Sequence, residues 1–186
     1  MIALFGFLAV RGLGGDRSSS PVSSATAPQD GIGFSPSAAP ARTDLSQLSP
    51  EESADRLYNR VMLLASEEKR DSVAFFAPMA IQAYQMIGRL NDDQHYDVGR
   101  VATVAGNPRL AKAHADTILA RSPTHLLGLL LAAHAAELQG DAAAAARYRQ
   151  RLLAAEETEM ARQLPEYDRH REEIVAALAA ARGRGR

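Results

Sequence analysis

The chain has 186 residues, of which 46 % are hydrophobic but only 5 % are aromatic, so its apolar content is largely Ala and Leu. That composition favours closely packed helices over strands. The net charge of −1, from 21 basic and 22 acidic residues, is too balanced for a protein that coats nucleic acid. The absence of cysteine excludes a disulfide framework, a thiolate metal site and a cysteine nucleophile.

Residues 1–13 have the character of part of an export signal or a membrane anchor. The first ten read MIALFGFLAV, and Arg11 follows at once. This run is too short for a spanning helix, which needs about 20 apolar residues, but it suits the apolar region of a signal peptide. No basic residue precedes it, so the alternative is a frayed apolar terminus on a cytoplasmic protein.

Residues 14–49 are rich in Ser, Ala, Pro and Gly and are predicted to form a disordered linker, because they offer little large apolar surface to offset chain entropy. An apolar terminus, a tether and a folded domain form the layout of a membrane-anchored exported protein. We therefore expect the domain on the extracytoplasmic side, as in a periplasm. The basic tail 183–186 is interpreted as a solvated end rather than a nucleic-acid contact.

Capping signals divide the rest of the chain into seven predicted helices. Ser49, Pro50 and Glu52 form a capping box that begins the first helix, and Asn107 with Pro108 begins the fourth. The fifth is apolar nearly all round, which predicts a position in the middle of the fold. The predicted helices span residues 50–67, 73–88, 91–106, 108–121, 124–139, 142–158 and 165–181.

Small and turn residues recur at a spacing of about 34 residues. Residues 92–125 contain Gly99 in the first helix, Gly106 in the turn, Ala111 early in the second helix and Pro123 after it. These positions resemble the tetratricopeptide repeat (TPR). A second unit, 126–159, keeps a matching set of small residues, and the unit 58–91 matches least. The matching residues of the second unit are Ala133, Gly140 and Ala145.

The resemblance implies an all-α fold: a right-handed stack of antiparallel helical hairpins, a TPR-like α-solenoid, closed by a C-terminal capping helix. It places one domain at residues 50–182, with Gly99 packed closely on Ala111. An ordinary antiparallel helical bundle is the alternative.

The repeat family implies no catalytic activity, so we expect a non-catalytic protein–protein interaction scaffold or adaptor that binds another protein. A permanent accessory or stabilising subunit of a multi-subunit membrane complex is the second hypothesis. An α-helical enzyme or metal protein is the third.

In this family the first helix of each hairpin lines the concave face, which predicts where a partner binds. Tyr96 and Arg100 lie one helical turn apart, and both residue types are common interface anchors. The predicted partner-binding residues are Tyr96, Asp97, Arg100, Thr103, His134 and Glu137.

The carboxylates Asp92, Asp93, Asp97 and Glu137 are interpreted as a solvated acidic surface rather than as acid–base pairs, because no orienting base accompanies them. No two of the five histidines have an i, i+3 or i, i+4 spacing, and they are interpreted as capping or packing residues.

Glu166 and His170 lie one turn apart and could share a metal, but a helix salt bridge is the preferred interpretation. The segment 164–170 is rich in hydrogen-bonding groups, and we expect it to dock the last helix on the preceding hairpin; a partner-binding patch is the alternative. The sequence therefore predicts no catalytic residue, no metal site and no cofactor.

Overall fold

Ser49 is the first described residue of the computed structural model, which covers residues 49–183. These residues belong to one compact unit and form eight helices with no strand among them. The predicted N-terminal segment 1–13, all of the predicted linker except Ser49, and the tail beyond Gly183 lie outside the described residues. The helices are α1 (Pro50–Ser66), α2 (Arg70–Ile87), α3 (Asp92–Val104), α4 (Pro108–Arg121), α5 (Leu126–Leu138), α6 (Ala142–Met160), α7 (Pro165–Arg169) and α8 (Arg171–Gly183).

Side-chain caps fix where the helices begin. The Ser49 hydroxyl accepts a hydrogen bond from the Glu52 amide at 3.1 Å, and the Glu52 carboxylate accepts one from the Ser49 amide at 2.9 Å. This confirms the predicted capping box. Asn91 caps α3 in the same reciprocal way. Asn107 caps α4 and Asp141 caps α6, each by accepting a hydrogen bond from one backbone amide.

The turns between paired helices use the left-handed backbone region. Gly106 and Gly140 have φ of +71° and +76°, which confirms them as turn residues that need glycine. The turn between α1 and α2 has Glu68 at φ +56° instead. That hairpin therefore reverses through a residue for which the conformation is strained.

The helices pack in sequential pairs, and α5 contacts α3, α4, α6 and α8. The contacts within α1/α2, α3/α4 and α5/α6 are extensive, as are those of α4 with α5, and α3 also contacts α1, α2 and α5. Most side chains of α5 are buried, which confirms its predicted central place. The apolar core has two clusters, one around α1 and α2 and one around α5, and α3 contributes to both.

Close approach of α3 to α5 explains the glycine in the clear repeat. A Cβ on Gly99 would lie 2.1 Å from Cδ2 of Leu131, whose side chain is fully buried. The three atoms nearest that Cβ position all belong to Leu131 of the next hairpin. Ala111 and Ala145 are themselves fully buried.

The predicted last helix is in fact two. The backbone turns at His170 (φ −106°, ψ 24°), so that the short α7 ends there and α8 follows. α8 packs against α5 and α6. Among the described residues no helix is both long and apolar enough to cross a membrane.

Candidate functional site

A groove of about 720 Å³ lies between α1 and the C-terminal segment α7–α8. α1 contributes Asn59, Met62 and Ser66, and α3 contributes Arg100 and Val104. The opposite wall is residues 168–173. The lining mixes apolar side chains with both signs of charge.

Five charged or titratable side chains meet where α3 and the C-terminal segment face each other: Asp93, Asp97, Arg169, His170 and Glu173. We call them the His170 cluster. The Arg169 guanidinium bridges the two aspartates, with Nη1 donating to Oδ2 of Asp93 at 2.5 Å and Nη2 donating to Oδ2 of Asp97 at 2.8 Å. Tyr84 of α2 donates its hydroxyl proton to the same Oδ2 of Asp97 at 2.9 Å.

His170 faces a carboxylate on each side. Its Nδ1 lies 2.8 Å from Oε2 of Glu173, and its Nε2 lies 2.9 Å from Oδ1 of Asp93 and 3.4 Å from Oδ1 of Asp97. The edge of the His170 ring packs on Tyr96, with 4.7 Å between ring centroids. Asp97 is completely buried, and its Oδ1 receives no hydrogen bond.

Burial and charge shift the protonation of the cluster. Burial alone would lower the pKa of His170, but its hydrogen bonds to Asp93 and Glu173 and the charge of Asp97 raise that pKa to about 9. Burial raises the pKa of Asp97 to about 6 against the opposing charge of Arg169. Burial also opposes ionisation of Asp93 and Glu173, yet the neighbouring His170 and arginines lower the pKa of both. His170 is therefore an imidazolium at neutral pH.

A second polar group holds the start of the C-terminal segment; we call it the Tyr167 network. The Tyr167 hydroxyl accepts the Leu126 amide at the start of α5 at 3.1 Å and donates to Oε2 of Glu159 at 2.7 Å. Thr124 and Arg162 also donate to the Glu159 carboxylate, at 2.7 and 2.8 Å. Segment 164–170 thus docks on the hairpin α5/α6, as the sequence predicted.

Tyr96 and Asp97 are not on an exposed face. Both are fully buried, because His170 packs on the Tyr96 ring and Arg169 covers the Asp97 carboxylate. The prediction of two exposed binding residues here is wrong. The C-terminal segment itself occupies the surface of α3 on which the sequence placed a partner.

The other predicted binding residues are dispersed. Arg100 lines the groove, and its Nη2 lies 3.3 Å from Glu173. Thr103 is half-buried and donates to the Gly99 carbonyl at 2.8 Å. His134 and Glu137 belong to α5 and do not line the groove; Glu137 forms an ion pair with Arg149 of α6.

The acidic residues and the histidines also differ from expectation. Asp97 belongs to a buried charge cluster and not to a solvated surface. Glu166 pairs with His125, at 3.3 Å, and not with His170. His95 and His114, from neighbouring helices, meet with 2.9 Å between their Nδ1 atoms.

No local sequence signal links His170 to α3, because its partners there lie more than 70 residues away. The i, i+4 spacing of Asp93 and Asp97 was the only part of the site that the sequence indicated. It gave no indication of what would cover these carboxylates.

Comparisons with known protein families, with curated proteins and with solved structures give no match for this chain. The site therefore has to be interpreted from its own geometry.

Proposed function

We propose that this protein is a non-catalytic interaction scaffold whose groove between α1 and α7–α8 binds an extended segment of a partner protein. The groove is the observation that carries the proposal. Its open shape and its length along α1 suit a polypeptide segment, and Met62 and Val104 offer an apolar contact between charged flanks. Arg100, Arg171 and Glu172 can pair with charges of either sign on that segment.

The arrangement of helices supports a TPR-like stack as the scaffold. Successive hairpins α1/α2, α3/α4 and α5/α6 contact each other mainly between the second helix of one and the first helix of the next, and α8 packs on the last hairpin, as a capping helix would. Three glycines lie at repeat positions of the family that the sequence resembles: Gly106 and Gly140 in the left-handed turns, and Gly99 in its tight contact with Leu131.

The chemistry around the groove favours binding over catalysis. The titratable side chains beneath it satisfy one another: His170 bridges Asp93 and Glu173, and Arg169 bridges the two aspartates. A catalytic site would need a nucleophile or base directed towards the open space. Here the carboxylates are directed towards the buried His170 and the more exposed Arg169.

A membrane tether through residues 1–13 and an extracytoplasmic location of the helical domain remain part of the proposal. They rest on the apolar N-terminal sequence and the Pro- and Ser-rich segment that follows it. In this arrangement the groove would face partners close to the membrane.

A different surface favours the second hypothesis, a permanent accessory subunit of a membrane complex. Phe75, Met79 and Met86 of α2 are exposed large hydrophobics on the same helix. Such a stripe is typical of a surface that another protein covers. A permanent partner on α2 would leave the groove with a secondary role.

Site-specific photo-crosslinking separates the two hypotheses. A photoreactive benzoylphenylalanine at Asn59 in the groove should crosslink one defined protein in native membranes, identified by mass spectrometry. The same probe at Ala143, exposed on α6, is the matched control and should give none. A Met62→Arg variant with an unchanged melt should abolish the Asn59 crosslink.

A stable crosslink from Phe75 together with none from Asn59 would replace the groove by the α2 surface and favour the accessory subunit. Absence of crosslinks from both positions would reject the scaffold proposal itself.

A further inference from the structure

Three ligand atoms of the His170 cluster lie close enough to share one metal ion. Nε2 of His170 lies 2.9 Å from Oδ1 of Asp93 and 3.4 Å from Oδ1 of Asp97, and each of the three residues offers a ligand atom within 4.8 Å of the other two. A tetrahedral zinc ion with bonds of about 2.0–2.2 Å holds its ligand atoms roughly 3.3–3.6 Å apart. The two separations from Nε2 of His170, 2.9 and 3.4 Å, lie near that range.

The outer contacts already orient each ligand. Glu173 holds Nδ1 of His170, which directs Nε2 towards the two aspartates, as in carboxylate–histidine–metal arrangements. Arg169 binds Oδ2 of both aspartates, and Tyr84 binds Oδ2 of Asp97 as well. These contacts leave the Oδ1 atoms of both aspartates directed towards His170.

Asp97 provides the independent observation. Its side chain is completely buried, yet Oδ1 receives no hydrogen bond. A buried carboxylate oxygen without a donor costs free energy that a bound cation would recover. The contact of this oxygen with Nε2 of His170, the ligand atom of the imidazole, is the longer one at 3.4 Å.

We propose that Asp93, Asp97 and His170 bind a divalent first-row transition-metal ion, with Zn²⁺ as the best match to two carboxylates and one imidazole. The ion replaces the proton between His170 and Asp93 and joins α3 to the C-terminal segment. Since His170 and Glu173 line the groove, the bound ion fixes one of its walls. The inference does not depend on the groove having a partner.

The test uses the full chain without an affinity tag, stripped with EDTA and dialysed. Isothermal titration with ZnCl₂ should show one site per chain, and Zn²⁺ should raise the melting temperature. CoCl₂ should give the visible absorption bands of a four-coordinate Co²⁺ ion, a signal that a purely structural salt-bridge cluster cannot produce.

Three variants locate the ion. Asp93→Asn and Asp97→Asn each remove a ligand and should abolish the titration heat and the Co²⁺ bands. Asp93 is less deeply buried, so its variant provides the test if Asp97→Asn does not fold. Glu173→Gln, which alters the outer partner of His170 and removes no ligand, should weaken Zn²⁺ binding by about 10–100-fold.

The control is the double variant His95→Gln, His114→Gln. It removes a pair of contacting histidines elsewhere in the fold and should leave Zn²⁺ binding unchanged. Loss of binding in this control with retention in Asp93→Asn would move the ion to that pair and overturn the proposal. So would the absence of any Zn²⁺ or Co²⁺ signal in the wild-type chain.

Discussion

The Tyr167 network and the His170 cluster both fasten the C-terminal segment to the rest of the fold, but they do so with different chemistry. In the Tyr167 network, one phenol hydroxyl accepts the Leu126 amide and donates to Glu159, and both oxygens of that carboxylate receive donors. In the His170 cluster, three carboxylates face two cations from the same segment, and one oxygen of Asp97 is left without a donor.

This difference separates a structural attachment from a responsive one. Neutral donors hold most of the Tyr167 network, so its strength changes little across the physiological pH range. The His170 cluster depends on the charge of an imidazole, and its strength must follow whatever changes that charge. The C-terminal segment thus has one constant and one adjustable attachment.

The largest expected effect comes from disrupting the Tyr167 network, which is the constant attachment. Tyr167→Ala removes a fully buried ring, leaves the Leu126 amide without its acceptor and takes one donor from Glu159, which should lower the free energy of unfolding by about 3–5 kcal/mol. Urea denaturation followed by circular dichroism measures this. Tyr167→Phe, which keeps the ring, should lose only about 1–3 kcal/mol; equal losses in both variants would show that the hydroxyl carries the whole attachment.

The second effect is a pH dependence confined to the His170 cluster. His170 has its pKa raised from 6.5 to about 9 by Asp93 and Asp97 on α3 and Glu173 on α8, with Arg169 beside it. A raised pKa contributes stability that is complete below pH 6.5 and lost as pH rises through 9. We expect a loss of about 3 kcal/mol between these pH values, measured by urea unfolding with EDTA present.

The other members of the cluster act outside that window. As pH rises from about 4 to 6, the raised pKa of Asp97 lowers the free energy of unfolding. The lowered pKa values of Asp93 and Glu173 affect the free energy of unfolding only at acid pH. His170→Gln should therefore flatten the profile between pH 6.5 and 9, whereas Tyr167→Phe should keep its slope. A slope that survives in His170→Gln would assign the titration to another group.

The smallest expected effect is the difference between two arginine variants, one in the His170 cluster and one in the Tyr167 network. Arg169→Ala deprives the buried Asp97 of its charged donor and should lower the free energy of unfolding by about 2 kcal/mol. Arg162→Ala removes one of several donors to Glu159 from a largely exposed side chain and should lower it by less than about 1 kcal/mol. Thermal melts of the two variants side by side check the order, and a reversed order would contradict the distinction between the attachments.

The parts of the fold that local interactions determine were predictable from the sequence. The capping box at Ser49 and the turn glycines Gly106 and Gly140 lie where the sequence placed them, because caps and left-handed turns depend on residues a few positions apart. The near-total burial of α5 followed from its uniform apolar character.

The candidate site was not predictable in the same way. The break at His170 and the burial of Asp97 arise together when the C-terminal segment folds back over α3, and the residues that meet there lie more than 70 positions apart. The helical periodicity of α3 alone places Tyr96 and Asp97 on the face expected to bind a partner. It carries no information that the chain's own C-terminal segment covers that face.

The order of the chain has a consequence for biosynthesis. Helices α1–α6 leave the ribosome before α7 and α8, so Asp93 and Asp97 are made more than 70 residues before Arg169 and His170 exist to pair with them. During that interval these two carboxylates lack the donors that the C-terminal segment supplies in the folded protein. The nascent hairpins should therefore stay loosely packed until the last helix emerges, and a ribosome stalled between α6 and α7 would present a chain that proteases and chaperones recognise as unfinished.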